Sequence, residues 1–262
     1  MTIFKQCDEL LQSGAAVAMA TVINAEQGTP GKPGFKLLLS SDGGLYGTVG
    51  GGALENRVIE EARKVLKTGN NLVIHYDLAD LNMKCGGNVD VVIEYIQGIK
   101  HILLFGGGHI ARALSPILEL LGFKITVVDP RPDVQTHFDA LKTTTVTALD
   151  YNDLSSLSDA VRSAEWCFVA THGHVHDYAV LKQLLGSGAE FRYLGMVGSY
   201  RKIDTTKRML EEDGLSVPNS FYAPVGIKIG GQSASEIAVS VAAEIVAVLN
   251  GVASDHMRRL KT

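Results

Sequence analysis

The chain has 262 residues, 46% hydrophobic and 20% charged, enough to bury the core of one large or two modest domains. A formal net charge of −4 and an aromatic content of only 6% exclude the basic, stacking-rich surface of a nucleic-acid-binding protein. No apolar run approaches the roughly 18 residues of a membrane helix, the N-terminus lacks a signal-peptide core, and three cysteines make no disulfide framework, so a soluble, cytoplasmic protein is expected.

In chain order, residues 3–13 predict a short amphipathic helix and 15–24 an apolar strand. Residues 36–49 predict two strands around an Asp-Gly-Gly turn. The stretch 50–69 opens on glycines and continues as a helix, with Leu54, Val58, Ala62, Val65 and Leu66 at helical spacing and Gly69 as the stop. Two more strands follow at 71–78 and 88–96, so residues 1–97 predict a small α+β domain.

A linker at 97–100 leads into residues 98–262, where the rhythm becomes strand, helix, strand. Strands are predicted at 101–106, 123–129, 143–149, 166–171 and 191–198, each apolar and β-branched as in a parallel sheet buried on both faces. The last helix is the clearest, with Ser233 and Glu236 in a capping-box pattern and Gly251 at its end. The expected fold class is α/β: a C-terminal Rossmann-like parallel-sheet domain with a smaller N-terminal α+β domain.

Chemistry is first readable at 103–114, LLFGGGHIARAL, a strand-to-helix junction. Gly106, Gly108 and Ala111 fit G-x-G-x-x-G/A: a tight turn, backbone open to a pyrophosphate, and close helix–strand packing. The helix start aims unpaired N–H groups at an anion. Asp129 ends the second strand about twenty residues on, where an acid commonly accepts from a ribose hydroxyl. Arg131 beside it suits a phosphate instead. A tight turn without ligand is the alternative.

With the strand order 3-2-1-4-5, the turn after the fourth strand lies beside the glycine turn at the switch point. That turn reads VATHGHVHD at 169–177. His172, His174 and Asp177 have three readings: ligand contact or acid–base work, a metal site, or a solvated loop. Continued as a strand end, the segment would put His172, His174 and His176 on one side. The turn after the fifth strand brings Gly195, Gly198, Ser199, Arg201 and Lys202 to the same rim.

The segments GGGALE (50–55), KCGGNVDVVIE (84–94), LLFGGGHIARAL, VVDPRPD (127–133), ATHGHVHDYAVL (170–181), YLGMVGSYRK (193–202) and PVGIKIGGQSASEIAVSVAAEIV (224–246) occur in compatible order and spacing. On them the chain resembles the xanthine dehydrogenase accessory protein (XdhC/CoxI) family over nearly its whole length. The resemblance implies binding of molybdenum cofactor, as molybdopterin or its dinucleotide form. It also implies support of sulfuration and delivery to a xanthine dehydrogenase-type molybdenum hydroxylase, with a cysteine desulfurase as a further partner. Such a protein is a cofactor-maturation chaperone more than an enzyme with its own turnover, and a homodimer is the default by base rate.

The implied cofactor-binding residues are the glycine turn and helix start (Gly106, Gly107, Gly108, His109, Ile110, Ala111), Asp129 with Arg131, and Gly198 with Ser199. The family pattern T-H-x-H-x-x-D is met by Thr171, His172, His174 and Asp177. His176 falls at an apolar family position and Gly173 where an acid often lies. Many members carry cysteine where this chain has Ala53. Cys85 remains as a candidate sulfur carrier, with Lys84 favouring its thiolate, or as an inert turn residue. Cys167, inside an apolar strand, is read as packing. Gly51, Gly52 and Glu55 open a helix and form either a second anion site or a plain turn. Two other functions are kept: an NAD(P)-dependent oxidoreductase with His172 or His174 as general acid, and a metal-dependent hydrolase using the His172/His174 loop with Asp177.

Overall fold

The structure, a computed structural model, describes residues 2–81 and 86–252. The chain forms two compact units, Met1–Ile99 and Lys100–Thr262.

In the first unit Thr2 caps α1 (Ile3–Gln12), its hydroxyl accepting from the Lys5 N–H at 3.3 Å. Five antiparallel strands follow: β1 (Val17–Ala25), β2 (Lys36–Ser40), β3 (Leu45–Gly47), β4 (Leu72–Asp77) and β5 (Asn88–Ile96), in the order β3-β2-β1-β5-β4. Alternation along β1 divides two cores. Ala18, Ala20 and Val22 pack with Leu54, Val58, Ala62 and Val65 of α2 (Gly52–Thr68). Val17 and Met19 pack instead with Cys7 and Leu10 of α1. Gly69 stops α2 with φ +71°, and its amide donates to the Val65 carbonyl at 2.8 Å.

The second unit is a six-stranded parallel sheet: β6 (Lys100–Phe105), β7 (Phe123–Val128), β8 (Thr144–Thr147), β9 (Trp166–Val169), β10 (Tyr193–Met196) and β11 (Phe221–Tyr222). Its order β11-β10-β9-β6-β7-β8 is the expected 3-2-1-4-5 with a sixth strand added at the edge. That strand escaped the sequence reading because two residues carry no alternation. The predicted strands at 166–171 and 191–198 stop early, at Val169 and Met196. Ala170 and Val197 each still donate one bond to the neighbouring strand, and the residues after them form turns.

Four α-helices join the strands, α3 (His109–Leu120), α4 (Ser158–Ser163), α5 (His174–Gly186) and α6 (Tyr200–Glu212), and α7 (Ala234–Leu249) follows the last strand. The central strand β6 shows why both sheet faces are covered. Its Ile102 and Leu104 pack with Leu114 and Leu118 of α3 and Val241 and Ile245 of α7. Leu103 and Phe105 face the other way, into Val180 and Leu184 of α5 and Leu210 of α6. Each such buried side chain contributes about 1.5–3 kcal/mol. Cys167 is fully buried in this second core, and burial pushes its thiol far up, which makes it packing as expected.

The capping box at the start of α7 is formed: the Glu236 N–H donates to Ser233 Oγ at 3.3 Å, and the Ser233 N–H to the Glu236 carboxylate at 2.9 Å. Further along α7, buried Glu244 accepts from the Tyr193 hydroxyl at 2.8 Å and the Gly226 N–H at 3.0 Å. Those bonds tie α7 to β10. Among the described residues no helix is long and apolar enough to cross a membrane.

Candidate functional site

The glycine turn follows β6, whose end is flanked by Val128 of β7 and Val169 of β9. Gly106 holds φ +105°, and a Cβ there would run into the carbonyl of Ala170. The glycine turn and the turn after β9 therefore touch backbone to backbone. The chain's path is set by the Gly106 N–H donating to Val128 at 2.9 Å and the Ala170 N–H donating to Phe105 at 2.8 Å.

Gly107 is required for a different reason. A Cβ on it would strike Val134, from a 3-10 turn at Pro132–His137. Gly108 has φ −76° and nothing within 4 Å of a Cβ, so open space lies beside it. It begins α3 with no side-chain cap, leaving the first-turn donors of His109 and Ile110 to an outside acceptor. Ala111 is fully buried, as the close helix–strand contact demands.

Asp129 and Arg131 face each other. Asp129 Oδ1 accepts from the Arg131 N–H at 3.0 Å and Nε at 2.8 Å. Its Oδ2 accepts from the Gly107 N–H and an Arg131 terminal nitrogen, each at 2.8 Å. Burial alone would raise this carboxyl, but the Arg131 bonds and the two backbone amides outweigh it and pull it down to about 2. Every lone-pair direction of the carboxylate is thus occupied. The sequence reading turned Asp129 to a ribose or Arg131 to a phosphate; the structure turns them to one another.

After β9 the chain does not continue as a strand. Helix α5 starts at His174, with Gly173 as a cap that offers no side-chain bond. The expected row of three histidines on one side is therefore absent. The turn into the helix instead brings the ring of His172, just before the cap, to 4.4 Å from that of His176 in the first turn, with Tyr151 at 5.5 Å from His176. His172 and His174 are exposed. Among the described residues, no group of three or more His, Cys, Asp or Glu side chains is placed to hold a metal ion. Asp177 turns away from His172 and His174, towards Thr171 and Lys202.

Asp177 is fully buried. Its Oδ1 accepts from the Thr171 N–H at 3.0 Å and the Thr171 hydroxyl at 2.6 Å, and its Oδ2 forms an ion pair with Lys202 of α6. The Lys202 ammonium also donates to the Val197 carbonyl at 3.3 Å. Ser199 caps α6 through the Lys202 N–H at 3.3 Å, and Gly198 lies under the Lys202 stem. These contacts tie the turns after β9 and β10 together. Between them opens a cavity of about 600 Å³ whose lining includes His172, His174, Ser199, Arg201, Lys202 and Thr205. The glycine turn abuts this region at Gly106 but does not line the cavity. Sequence reasoning missed Thr205, one helical turn beyond Arg201, and Tyr151.

In the first unit the start of α2 is already supplied with an anion. Glu55 stands in its first turn and accepts from the Thr48 hydroxyl, so of the residues read as a second anion site, Gly51, Gly52 and Glu55, the last itself brings a negative charge to that helix start. Cys85 lies outside the described residues.

The XdhC Rossmann domain model matches residues 102–245, which hold all three turns, and the XdhC and CoxI family model matches 10–77. The chain belongs to the XdhC and CoxI family. It is 30% identical to the uncharacterised protein YqeB of Escherichia coli K12, over 99% of this chain and 48% of YqeB. It is 34% identical to a probable xanthine dehydrogenase subunit of Bacillus subtilis 168, over 63% of this chain and 47% of that protein. The chain thus spans about half the length of these two relatives. PaoD of Escherichia coli K12, a molybdenum cofactor insertion chaperone, is 25% identical over 94% of this chain and 88% of its own. A solved structure of a Bacillus halodurans xanthine dehydrogenase shares the fold over 96% of each chain, with a TM-score of 0.52 and 21% identity. Within this XdhC Rossmann domain, Gly106–Ala111 and Thr171–Asp177 meet at the C-terminal ends of the two central strands.

Proposed function

We propose that this XdhC and CoxI family member is an accessory protein of a molybdenum hydroxylase. In this reading it receives molybdenum cofactor, supports its sulfuration and passes it to a xanthine dehydrogenase-type enzyme. The observation that carries the reading is the likeness to PaoD, which extends over most of both chains. The Bacillus subtilis relative, a xanthine dehydrogenase component by name, points to the same class of client.

The chain's own residues fit such a cargo. Molybdenum cofactor carries a phosphate, and in its dinucleotide form a pyrophosphate. The uncapped start of α3 at Gly108, with open space beside it, presents donors to either group. His172 and His174, on the turn that meets the glycine turn at Ala170, line the neighbouring cavity. Asp129 and Arg131 act by positioning: they hold the Gly107 amide and so the shape of the turn. The same pair weighs against an NAD(P)-dependent oxidoreductase, because Asp129 has no acceptor left for a ribose hydroxyl. Cys85 is the sulfur-handling candidate, with a cysteine desulfurase as donor. A cytoplasmic homodimer completes the proposal.

The test is a titration of the purified protein with molybdenum cofactor and, separately, with nicotinamide nucleotides. Micromolar binding of the former and none of the latter is expected. Absence of molybdenum cofactor binding overturns the proposal.

A further inference from the structure

The cavity between the starts of α5 and α6 is one-sided in charge. Its lining holds the cations Arg201 and Lys202, the imidazoles of His172 and His174, and the hydroxyls of Ser199 and Thr205, but no carboxylate. The two cations are not equivalent. Lys202 is already neutralised by the buried Asp177. Arg201 is exposed, and its guanidinium makes no hydrogen bond or ion pair with the described residues. The free charge of the cavity is therefore that of one guanidinium, supported by two rings able to donate. The Ser199 oxygen accepts from the Lys202 N–H, which leaves its O–H free to donate. The Asp177 carboxylate is buried and paired with Lys202, so it does not face the cavity as a free charge.

We propose that this cavity is a phosphate-group site in which Arg201 supplies the recognising charge. His172, His174 and Ser199 supply further donors, and Lys202 serves as a positioning residue. A guanidinium fork binds two oxygens of a phosphate in parallel. Donors from two separate helix starts suit the remaining oxygens of a tetrahedral anion better than those of a planar carboxylate. The site is separate from the glycine turn, none of whose residues lines it. It does not depend on the nature of the cargo, so its failure and that of the chaperone reading are independent. The phosphate group comes either from free phosphate or from a larger molecule such as the cofactor.

The test is a calorimetric titration of the full chain with inorganic phosphate and with pyrophosphate at low ionic strength, with the His172 and His174 ring signals followed by NMR. Wild-type protein is expected to bind at least one of them with perturbation of both rings. Arg201→Gln is expected to weaken that binding roughly tenfold or more with unchanged melting temperature. Arg208→Gln, an exposed arginine of α6 outside the lining, serves as the control and is expected to bind as wild type does. Failure of the wild type to bind either anion at millimolar concentration overturns the site, as does equal affinity in Arg201→Gln. Repeating the titration with molybdenum cofactor bound sustains the site either way and identifies the source. Competition assigns the cavity to the cargo's phosphate, and independent binding assigns it to free phosphate.

Discussion

The ammonium of Lys202 closes over the carboxylate of Asp177, and through that pair the start of α6 is pinned to the start of α5. Asp177 is fully buried and Lys202 is 25% exposed. Removing one partner of a buried pair strands the other without compensation. Lys202→Met is expected to cost about 3 kcal/mol in urea unfolding. Adding Asp177→Leu to that variant should restore part of the loss, because both charges are then gone. An unchanged midpoint in Lys202→Met would show that the pair does not hold these turns.

The Asp129–Arg131 contact sets a pH dependence. Asp129 is depressed from 3.8 to about 2 in the fold. A depressed carboxyl stabilises the fold above its unfolded value and loses that contribution as pH falls towards its folded value. The loss is therefore expected between about pH 4 and pH 2. With Arg131 half exposed and screened by solvent, about 1–2 kcal/mol is at stake. Comparing acid unfolding of the wild type and Asp129→Asn checks this, since the difference between them should shrink across that window.

Two neighbouring glycines are expected to respond differently to a side chain. Gly108→Val should leave the melting temperature nearly unchanged, because its Cβ meets open space. The same variant should abolish molybdenum cofactor binding, since the side chain occupies the phosphate's approach. Gly107→Ala should instead cost about 1–3 kcal/mol by overpacking against Val134. Thermal unfolding with cofactor titration separates the two effects. Retained cofactor affinity in a folded Gly108→Val protein would remove the phosphate from the start of α3.

Cys85→Ser is expected to reduce sulfur transfer to the cofactor without weakening cofactor affinity, because hydroxyl oxygen cannot carry sulfur. Sulfuration of a client hydroxylase with each protein checks it. Equal sulfuration would make Cys85 structural.

The parallel sheet was legible because each central strand is buried on both faces. Leu103 and Leu104 of β6 serve opposite cores, so apolar runs needed no alternation to be recognised as strands. The start of α5 was not legible. Its buried anchors Val180, Leu181 and Leu184 come late, and its first turn, His174–Asp177, mixes polar residues with an exposed Val175. That turn therefore reads as a strand end or loop as well as a helix. The destination of the Arg131 side chain was equally hidden, because spacing alone does not say whether it turns to an outside phosphate or to the Asp129 carboxylate, which it does. The need for glycine at 107 comes from Val134 and Phe138, distant in sequence, and no local spacing announces it. Adjacency of the glycine and histidine turns was readable, because it follows from strand order.

The contact of Gly106 with Ala170 leaves no slack between the two turns. Any side chain at 106 would have to part the two turns before it could be seated. The spacing of the two turns is thus set at a position that has no side chain at all.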